Sequence, residues 1–349
     1  MSPGISLLTS KGAQDAHLEL KNDDADGISF FNQVFRKHTP FSSNIEKQYI
    51  QGQPKTGGLS KITCTKVGDC LGYTYFTMDN GAAALDSGDW ASIFSEVSLY
   101  IGGELIDRHD GVFCETAAID LFAQSASKSA LGPHPGASSN SFFFPLRFFF
   151  CESTMAALPL CAIKQEVEIE IRWGTVPAGA NFECYSMMYY LGAVERSIVA
   201  NSEEGRDMLI FQVQKSPASN DLTQDLVFNH PVRFICTANT ADASPYKQAN
   251  NKLKIQINGE DVTPFRFARP NYMDVPHYYH TQHVTSPDIF MYPFCLTTSL
   301  NQPCGSLNAS RVTDVKIISE SLPLTDDVYA VSWNWLYVKN GYAALRYAN

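Results

Sequence analysis

The stretch from Ser141 to Trp173, SFFFPLRFFFCESTMAALPLCAIKQEVEIEIRW, limits the possible folds of this chain more than any other. It begins with two phenylalanine triplets, passes a bend of small residues and proline, and ends where Val167, Ile169 and Ile171 alternate with glutamates. An apolar residue at every second position is typical of a strand with one buried and one solvated face. Charged residues interrupt each apolar run well short of a bilayer span. The stretch therefore predicts two long core strands joined by a short connection in a β-sandwich, and no membrane anchor.

Length and composition are those of a β-rich protein with more than one domain. The chain has 349 residues, which predicts two domains of roughly 170 residues each. Aromatic residues make up 12% of it, charged residues only 18%, and the formal net charge is −10. An acidic surface disfavours direct, sequence-specific binding of nucleic acid, because such binding needs clustered lysine and arginine. The densest basic group, Arg36-Lys37-His38, is short and favours a solvated turn over a phosphate site.

The cysteines indicate reduced thiols. There are nine of them, an odd number, and no two have the two-residue spacing of a zinc knuckle. Several lie in apolar segments, where a free thiol acts as a small hydrophobic group. The first residues, MSPGISLLTSKG, lack the apolar segment of a signal peptide. We therefore expect folding in a cytosol-like compartment.

The chain divides into an arm and two halves with the same pattern of short strands. We expect an N-terminal arm over residues 1–24, a first domain over 25–204 and a second over 205–349. Residues 191–213 change character and predict a short helix that links the halves. Residues 107–140 lack apolar periodicity and predict a long insertion, or a short helix with a loop.

Two hairpin signals occur in equivalent places in the halves. Gly102-Gly103 and Asn258-Gly259 each lie between apolar runs, and tight hairpins need the positive φ that these residues tolerate. Each half has enough short strands for one sandwich. The predicted fold class is therefore all-β, with two consecutive eight-stranded jelly-roll sandwiches and a short linking helix.

Three histidines are the most tempting candidate metal site. His277, His280 and His283 lie within seven residues, and jelly-roll enzymes of the cupin type hold a metal with histidines. Three-residue steps alternate faces in a strand, so His277 and His280 would point apart. The run lies between Pro276 and Pro287 and is typical of a loop. We interpret it as a polar loop or an intersubunit contact. A metal-dependent bicupin-like enzyme or a carbohydrate-binding β-sandwich is the alternative function.

Two groups of charged residues suggest chemistry less strongly. Asp107, His109 and Asp110 contain an acid–base pair, but they directly follow a hairpin strand and favour a structural role that supports the next loop. A solvated strand face or a contact with a neighbouring subunit is favoured for Glu166, Glu168 and Glu170. The sequence contains neither a G-x-S-x-G nucleophile motif nor a complete glycine-rich nucleotide fingerprint.

The segment 302–311, QPCGSLNASR, is the most distinctive stretch of the second half. Its proline and glycine predict a turn. The following residues predict a strand in which Asn308 and Ser310 satisfy backbone groups. We favour this structural role over ligand binding.

Short motifs follow one another in a fixed order along nearly the whole chain. The first half carries Gly12-Ala13-Gln14-Asp15, Phe35 to Phe41 (FRKHTPF), Val67-Gly68-Asp69, Ile106-Asp107-Arg108-His109 and Ala157-Leu158-Pro159-Leu160. The second half carries Glu195-Arg196, His230-Pro231-Val232, Asn258-Gly259, Gln302 to Arg311 and Asn334-Trp335-Leu336. In these motifs and their order the chain resembles the double jelly-roll major capsid proteins of nucleocytoplasmic large DNA viruses and their relatives. It is shorter than typical algal or amphibian virus members, which implies short outer loops.

The resemblance implies a structural protein of the virion capsid, with no enzymatic activity, no cofactor and no catalytic or metal-binding residues. It implies a homotrimer, because two similar sandwiches in each of three chains present six similar edges to their neighbours. Such pseudo-hexagonal capsomers would tile an icosahedral shell around a double-stranded DNA genome, with assembly in the host cytoplasm or virus factory. Neighbouring capsomers and minor capsid and penton proteins are the implied partners. The arm of residues 1–24 is expected to reach beneath neighbouring capsomers or toward an internal membrane.

Overall fold

A computed structural model describes residues 12–15, 38–79, 89–130, 143–200, 205–284 and 288–348. Residues up to Pro40 form a unit of their own, in which the backbone N–H of Gly12 donates to the Asp15 carboxylate at 2.9 Å. Most of the expected arm, residues 1–24, lies outside the described residues. Phe41–Asn349 form the second unit, and the following description concerns that unit alone.

The first half of this unit folds into two antiparallel sheets. Its strands are β1 Phe41–Gln48, β2 Ile50–Gln51, β3 Leu59–Thr63, β4 Cys70–Asp79, β5 Phe94–Ile101, β6 Glu104–Asp110, β7 Phe143–Pro145, β8 Val167–Trp173 and β9 Asn181–Leu191. Sheet I has the order β1-β9-β4-β7, and sheet II has the order β2-β3-β8-β5-β6. In β8, Val167, Ile169 and Ile171 are buried while the alternating glutamates are half-buried. The predicted two-sided strand is therefore confirmed.

The second half repeats this arrangement. Its strands are β10 Arg206–Ser216, β11 Thr223–Asp225, β12 Pro231–Thr237, β13 Lys252–Ile257, β14 Glu260–Asp261, β15 Arg266–Phe267, β16 Met291–Pro293, β17 Leu307–Asn308, β18 Val315–Ser319, β19 Val328–Lys339 and β20 Tyr342–Leu345. Sheet III has the order β10-β19-β12-β16, and sheet IV has the order β11-β18-β13-β14. In sheets I and III alike, the first long strand of the half pairs with its last long strand. This closing of each half on itself confirms the predicted all-β fold of two consecutive jelly rolls.

Both predicted hairpins are present. Gly102 and Gly103 have φ of 60° and 85° between β5 and β6, and Asn258 and Gly259 have φ of 50° and 81° between β13 and β14. Positive φ at both central residues is the geometry of a tight primed turn, which follows the twist of the flanking strands.

Short helices connect the strands. They are α1 Asp89–Ile93, α2 Gly111–Glu115, α3 Ala117–Leu121, α4 Ala126–Ala130, α5 Phe149–Glu152, α6 Ala193–Ala200, α7 Ala268–Asn271 and α8 Asp274–His280. Helix α2 follows β6 directly, and α7 follows β15 directly, so α2–α4 and α7–α8 occupy equivalent places in the two halves. None of the helices within the described ranges combines the length and apolar character needed to cross a bilayer.

The phenylalanine stretch differs from its prediction of two long strands. The first triplet contributes only the three-residue strand β7, and Phe149–Glu152 form helix α5. Phe148, Phe149 and Phe150 are all buried. A strand would turn Phe149 to the face opposite its neighbours, whereas a helical turn lets three consecutive rings enter the same core.

Three further segments refine the sequence interpretation. The linking helix is α6, but Met208, Leu209 and Ile210 belong to β10 instead of that helix. The apolar run that begins at Ile289 contributes only the three-residue strand Met291–Pro293. Sheet pairing changes between the end of β9 at Leu191 and the start of β10 at Arg206. The domain limits 25–204 and 205–349 stay predictions.

The hydrophobic core runs through both halves. One cluster fills the first jelly roll and continues into sheet III through Phe211, Phe234 and Trp333. A second cluster, with Val232 and Ile235, lies between sheets III and IV. Sheet III therefore has apolar side chains on both faces, and β12 is buried at every position after Pro231. This double cover explains why buried and exposed residues do not alternate along β12.

Candidate functional site: the junction between the jelly rolls

The two jelly rolls meet where β6, the edge strand of sheet II, lies beside β10, the edge strand of sheet III. Here the side-chain amide of Gln212 donates to the backbone carbonyl of Ile106. The carboxylate of Asp107 accepts a hydrogen bond from the backbone N–H of Val213 at 3.0 Å. Each half thus satisfies backbone groups of the other, and an unpaired strand edge is closed on both sides.

A buried ion pair lies at the centre of this junction. The His109 ring nitrogen Nε2 is 2.8 Å from Asp107 Oδ2, and both side chains are 1% exposed. The His109 ring stacks on Phe148 at a centroid distance of 4.8 Å. Burial lowers the pKa of His109, but the charge and hydrogen bond of Asp107 outweigh it, and the net effect raises that pKa to about 10. His109 is therefore protonated at neutral pH.

The burial of this pair decides what it does. A general acid or base must reach the proton that it transfers, and side chains sealed between two jelly rolls do not reach a substrate. Asp107 and His109 lie within β6 and bond across to β10, so the predicted role in supporting the loop after a hairpin strand is too local. They connect the two halves, because the carboxylate is held by His109 and the Arg108 backbone N–H from the first half and by the Val213 backbone N–H from the second.

Asp110 extends the polar contacts to the rim of the junction. It accepts hydrogen bonds from Lys215 Nζ at 2.7 Å and from the Tyr329 hydroxyl at 3.0 Å. Lys215 also pairs with Asp327 at 2.8 Å. Burial lowers the pKa of Lys215, but the hydrogen bonds to both carboxylates outweigh it and raise that pKa. Since Lys215 is partly exposed, this rim network contributes less to stability than the buried pair.

Aromatic rings from helix α2 and from the residue directly after helix α3 cover the face of sheet III that is turned away from sheet IV. The ring centroids of Phe113 and Tyr329 are 5.2 Å apart. The ring centroid of Phe122 lies 5.0 Å from that of Phe211 and 6.4 Å from that of Phe234. Residues 107–140 were predicted to form a long insertion, or a short helix with a loop; the structure has three short helices there, and neither alternative included their cover of sheet III. The usable signal was the spacing of residues 113, 117 and 121, which is typical of one apolar helix face.

The three histidines do not converge on a metal site. His277 Nδ1 lies 2.6 Å from the Met273 carbonyl oxygen, and His280 Nδ1 lies 3.0 Å from that of Cys295. Burial lowers the pKa of His277. The predicted loop is wrong here, because residues 274–280 form helix α8, and a proline is tolerated in the first turn of a helix. Among the described residues, no group of three or more His, Cys, Asp or Glu side chains could hold a metal ion.

The remaining candidates lie apart from the junction's ion pair. Glu168 pairs with Lys61 on the outer face of sheet II, while Glu166 precedes β8 and Glu170 lies within it. These glutamates line a strand face and do not surround a cavity. Their assignment to a solvated face or a subunit contact stays a prediction.

The segment 302–311 is only partly as expected. Ser310 Oγ accepts a hydrogen bond from the His230 backbone N–H at 2.9 Å, so it does satisfy a backbone group. The expected strand is limited to β17, and Ala309–Arg311 form a 3₁₀ turn. The pairing ends where Asn308 faces Pro231, because proline has no N–H to continue the ladder.

Comparison with known proteins agrees with this architecture. Residues 29–178 match the family model described as "Major capsid protein N-terminus". The chain is 28% identical to the major capsid protein of Pyramimonas orientalis virus over the full length of both. In sequence along its full length and in fold, the chain therefore matches the double jelly-roll major capsid proteins of large DNA viruses. Solved capsid proteins agree in fold: PBCV-1 VP54 has a TM-score of 0.77 at 21% identity, covering 92% of this chain and 100% of that chain. The Faustovirus major capsid protein has a TM-score of 0.68 at 10% identity and 95% coverage of each chain.

The match to major capsid proteins indicates that the junction has a structural role. Major capsid proteins are structural components of the virion, so this chain is a structural protein and not an enzyme. A buried ion pair, cross-bonded strand edges and packed aromatic rings hold the two jelly rolls of the capsid protein in one relative position.

Proposed function

We propose that the chain self-assembles into homotrimeric capsomers with a pseudo-hexagonal outline. The observation that carries this proposal is the repeat: sheets I and III have the same strand order, and the junction joins the two jelly rolls side by side. Three such chains in a closed ring supply six similar sandwiches. A threefold ring of this kind has the outline required for hexagonal packing.

The stiffness of the junction supports this proposal. A capsomer presents regular edges only if the angle between its two jelly rolls is constant. The Asp107–His109 pair and the ring of Phe122 are buried at the contact. Buried, close-packed interfaces resist continuous deformation, so the two sandwiches behave as one rigid body in the capsomer.

In the proposed virion, these capsomers tile an icosahedral shell around a double-stranded DNA genome. Neighbouring capsomers and minor capsid and penton proteins are the partners, and assembly takes place in the host cytoplasm or virus factory. The arm of residues 1–24 contacts the underside of neighbouring capsomers or an internal membrane. The net charge of −10 supports a protein shell that makes no direct sequence-specific contact with DNA.

The decisive measurement is the solution mass of the purified protein by light scattering coupled to size exclusion. One chain has a mass of 38.7 kDa, and three chains have a mass of about 116 kDa. We expect the trimer mass at moderate salt and a hexagonal outline in electron micrographs. A folded protein that stays at the single-chain mass at all accessible concentrations would contradict the proposal. Deletion of residues 1–24 should leave the trimer intact and prevent shell assembly, which tests the arm separately.

A further inference from the structure

Sheets I and III have equivalent faces with different cover. The outer face of each sheet is the one turned away from its partner sheet in the same jelly roll. Phe113 of helix α2 and Phe122, directly after helix α3, cover that face of sheet III. On sheet I, by contrast, Tyr73, Phe143 and Ile45 are 39%, 40% and 44% exposed. Sheets I and III thus have the same strand order, but the outer face of sheet III is covered within the chain and that of sheet I is open.

The open face of sheet I is aromatic. Tyr75 packs edge-on against Phe143 at 6.1 Å and stacks on Tyr185 at 5.6 Å, which connects three neighbouring strands. A cleft of about 570 Å³ lies beside these rings and includes Tyr73 and Lys128 in its lining. A solvated face of an antiparallel sheet normally alternates to polar residues. A contiguous row of rings, with tyrosine prominent, is instead typical of a protein interface.

We propose that this open face binds the second jelly roll of another copy of the chain, through the α7–α8 segment that follows β15. Within one chain, the segment after β6 covers sheet III. The segment after β15 has the equivalent place in the second half, and it begins and ends between equivalent strands. Its helix α8 exposes Tyr278 and Tyr279, which are 79% and 72% exposed and pack edge-on against each other.

The number of outer sheet faces and covering segments indicates that the binding partner is a second copy of the chain. Among the residues that the structure describes, each chain has two outer sheet faces of this kind and two covering segments, and one face and one segment are paired inside the chain. The unpaired face and the unpaired segment belong to different jelly rolls, so pairing them between copies gives a head-to-tail contact that closes into a ring. This inference rests on the proposed trimer and assigns its subunit interface.

The charges on the two surfaces suit such a contact. On sheet I, Lys47 pairs with Glu183 at 2.5 Å, and on the covering segment Arg269 pairs with Asp274 at 3.1 Å. Each surface therefore has its charges paired internally. Docking one on the other brings ring against ring and leaves these pairs at the rim, without burying an unpaired charge.

A photo-cross-linking residue tests the contact directly. p-Benzoylphenylalanine replaces Tyr278, and chains labelled with ¹⁵N are mixed with unlabelled chains before irradiation. We expect cross-linked peptides that join α8 of one copy to residues 70–79 or 181–191 of another, identified by mass spectrometry. The same residue placed at Lys254, on the outer face of sheet IV, is the control and should not label these peptides. A trimer whose cross-links avoid sheet I overturns this inference and leaves the proposed trimer standing, whereas a folded protein that stays monomeric overturns both.

Charge substitutions provide the second test. Tyr73→Glu and Tyr278→Glu each place a carboxylate at the proposed contact, one on either side. We expect both variants to shift from about 116 kDa to 38.7 kDa and to stay folded with an unchanged circular dichroism spectrum, because both side chains lie at the surface of their own jelly roll. Their melting temperature should equal that of wild-type chains diluted until the trimer dissociates. Lys254→Glu serves as the control: it breaks the ion pair of Lys254 with Asp261 within sheet IV, but its carboxylate lies away from the proposed contact, and the variant should stay trimeric. A trimer that survives both substitutions excludes this face as the interface.

Discussion

The outer faces of sheets I and III solve one packing problem in two ways. Sheet III uses Phe211, Phe234 and Trp333, which are buried within the chain itself. Sheet I uses Tyr73 and Tyr75 in the same topological position, and these remain partly exposed. A face covered in the same chain can be fully apolar, because it is never solvated in the folded state. A face that stays open in the single chain needs rings with a polar end, and tyrosine supplies both the apolar area and the hydroxyl.

The polar groups of the two regions also differ in how deeply they are buried. At the junction, Asp107 and His109 form a sealed ion pair. On sheet I, Lys47, Glu183 and Tyr185 form a hydrogen-bonded group at the surface. The buried pair depends on its partners for stability, whereas water replaces any lost partner on sheet I. The comparison therefore predicts large effects at the junction and small effects on sheet I for the stability of the chain.

Matched truncations of one ring on each face should give the largest difference. Phe211→Ala removes a ring packed against Phe122 and should lower the free energy of unfolding by about 3–5 kcal/mol. Tyr73→Ala should lower it by less than about 1 kcal/mol, because its ring is partly solvated in the chain. Urea titrations at several protein concentrations separate the loss within the chain from any loss of assembly. If the two variants lost the same free energy of unfolding within the chain, the two faces would not differ in cover as described.

The buried pair should give the next largest effect. Asp107→Asn leaves the protonated His109 without its carboxylate, and we expect a loss of about 3 kcal/mol in the free energy of unfolding. The loss is at the lower end for a broken buried pair because asparagine still accepts from the Val213 N–H. Asp110→Asn is the control at the rim, where Lys215 keeps Asp327, and it should cost less than about 1 kcal/mol. Combining Asp107→Asn with His109→Gln should recover part of the loss, and a strictly additive double variant would show that the two side chains are not coupled.

The pH dependence of stability should report the same pair. His109 has a folded-state pKa of about 10, and an unfolded histidine has a pKa of about 6.5. The folded state therefore binds the proton more tightly, and the pair's contribution is complete below pH 6.5 and is lost as pH rises toward 10. Wild-type protein should be more stable than His109→Gln at pH 6, and this difference should shrink by at least about 1.4 kcal/mol by pH 10. A difference that grows with pH would contradict the assignment of the charge.

The smallest effects should occur at the two hairpins, where the halves are alike. Gly103 and Gly259 have φ of 85° and 81°, and no other group lies within 4 Å of a Cβ added at either position. Gly103→Ala and Gly259→Ala should therefore each cost about 1 kcal/mol from backbone strain alone. Thermal unfolding of both variants measures this. Clearly unequal losses would show that the two jelly rolls differ in local geometry as well as in cover.

Local rules made much of the fold predictable from sequence. The alternation of Val167, Ile169 and Ile171 determined a two-sided strand, because side chains in a strand alternate with period two. The turn dipeptides 102–103 and 258–259 determined two hairpins, because few residues adopt positive φ. The ordered motifs identified the family. Each of these signals depends on residues a few positions apart.

The histidine run shows where local rules failed. Its spacing suggested a loop between two prolines, and the structure contains a helix whose histidines bond to nearby carbonyl oxygens. Consecutive Phe148, Phe149 and Phe150 suggested a strand and form a helical turn instead. For the phenylalanines, tertiary burial overrode the local preference, because the core accepts whichever backbone brings the rings inside. Helix α8 is different, because it buries Pro276 and His277 while Tyr278 and Tyr279 stay exposed.

What the sequence by itself determined is the set of strands, the turns and the repeated jelly roll. Only the tertiary structure decided which faces are covered. Phe122 reaches Phe234, and Asp107 reaches the backbone of Val213, 106 positions away. No periodicity relates residues so far apart, because their contact arises from the docking of one jelly roll on the other. The same reason explains why the open tyrosines of sheet I became recognisable as a surface only when sheet III was seen to be covered.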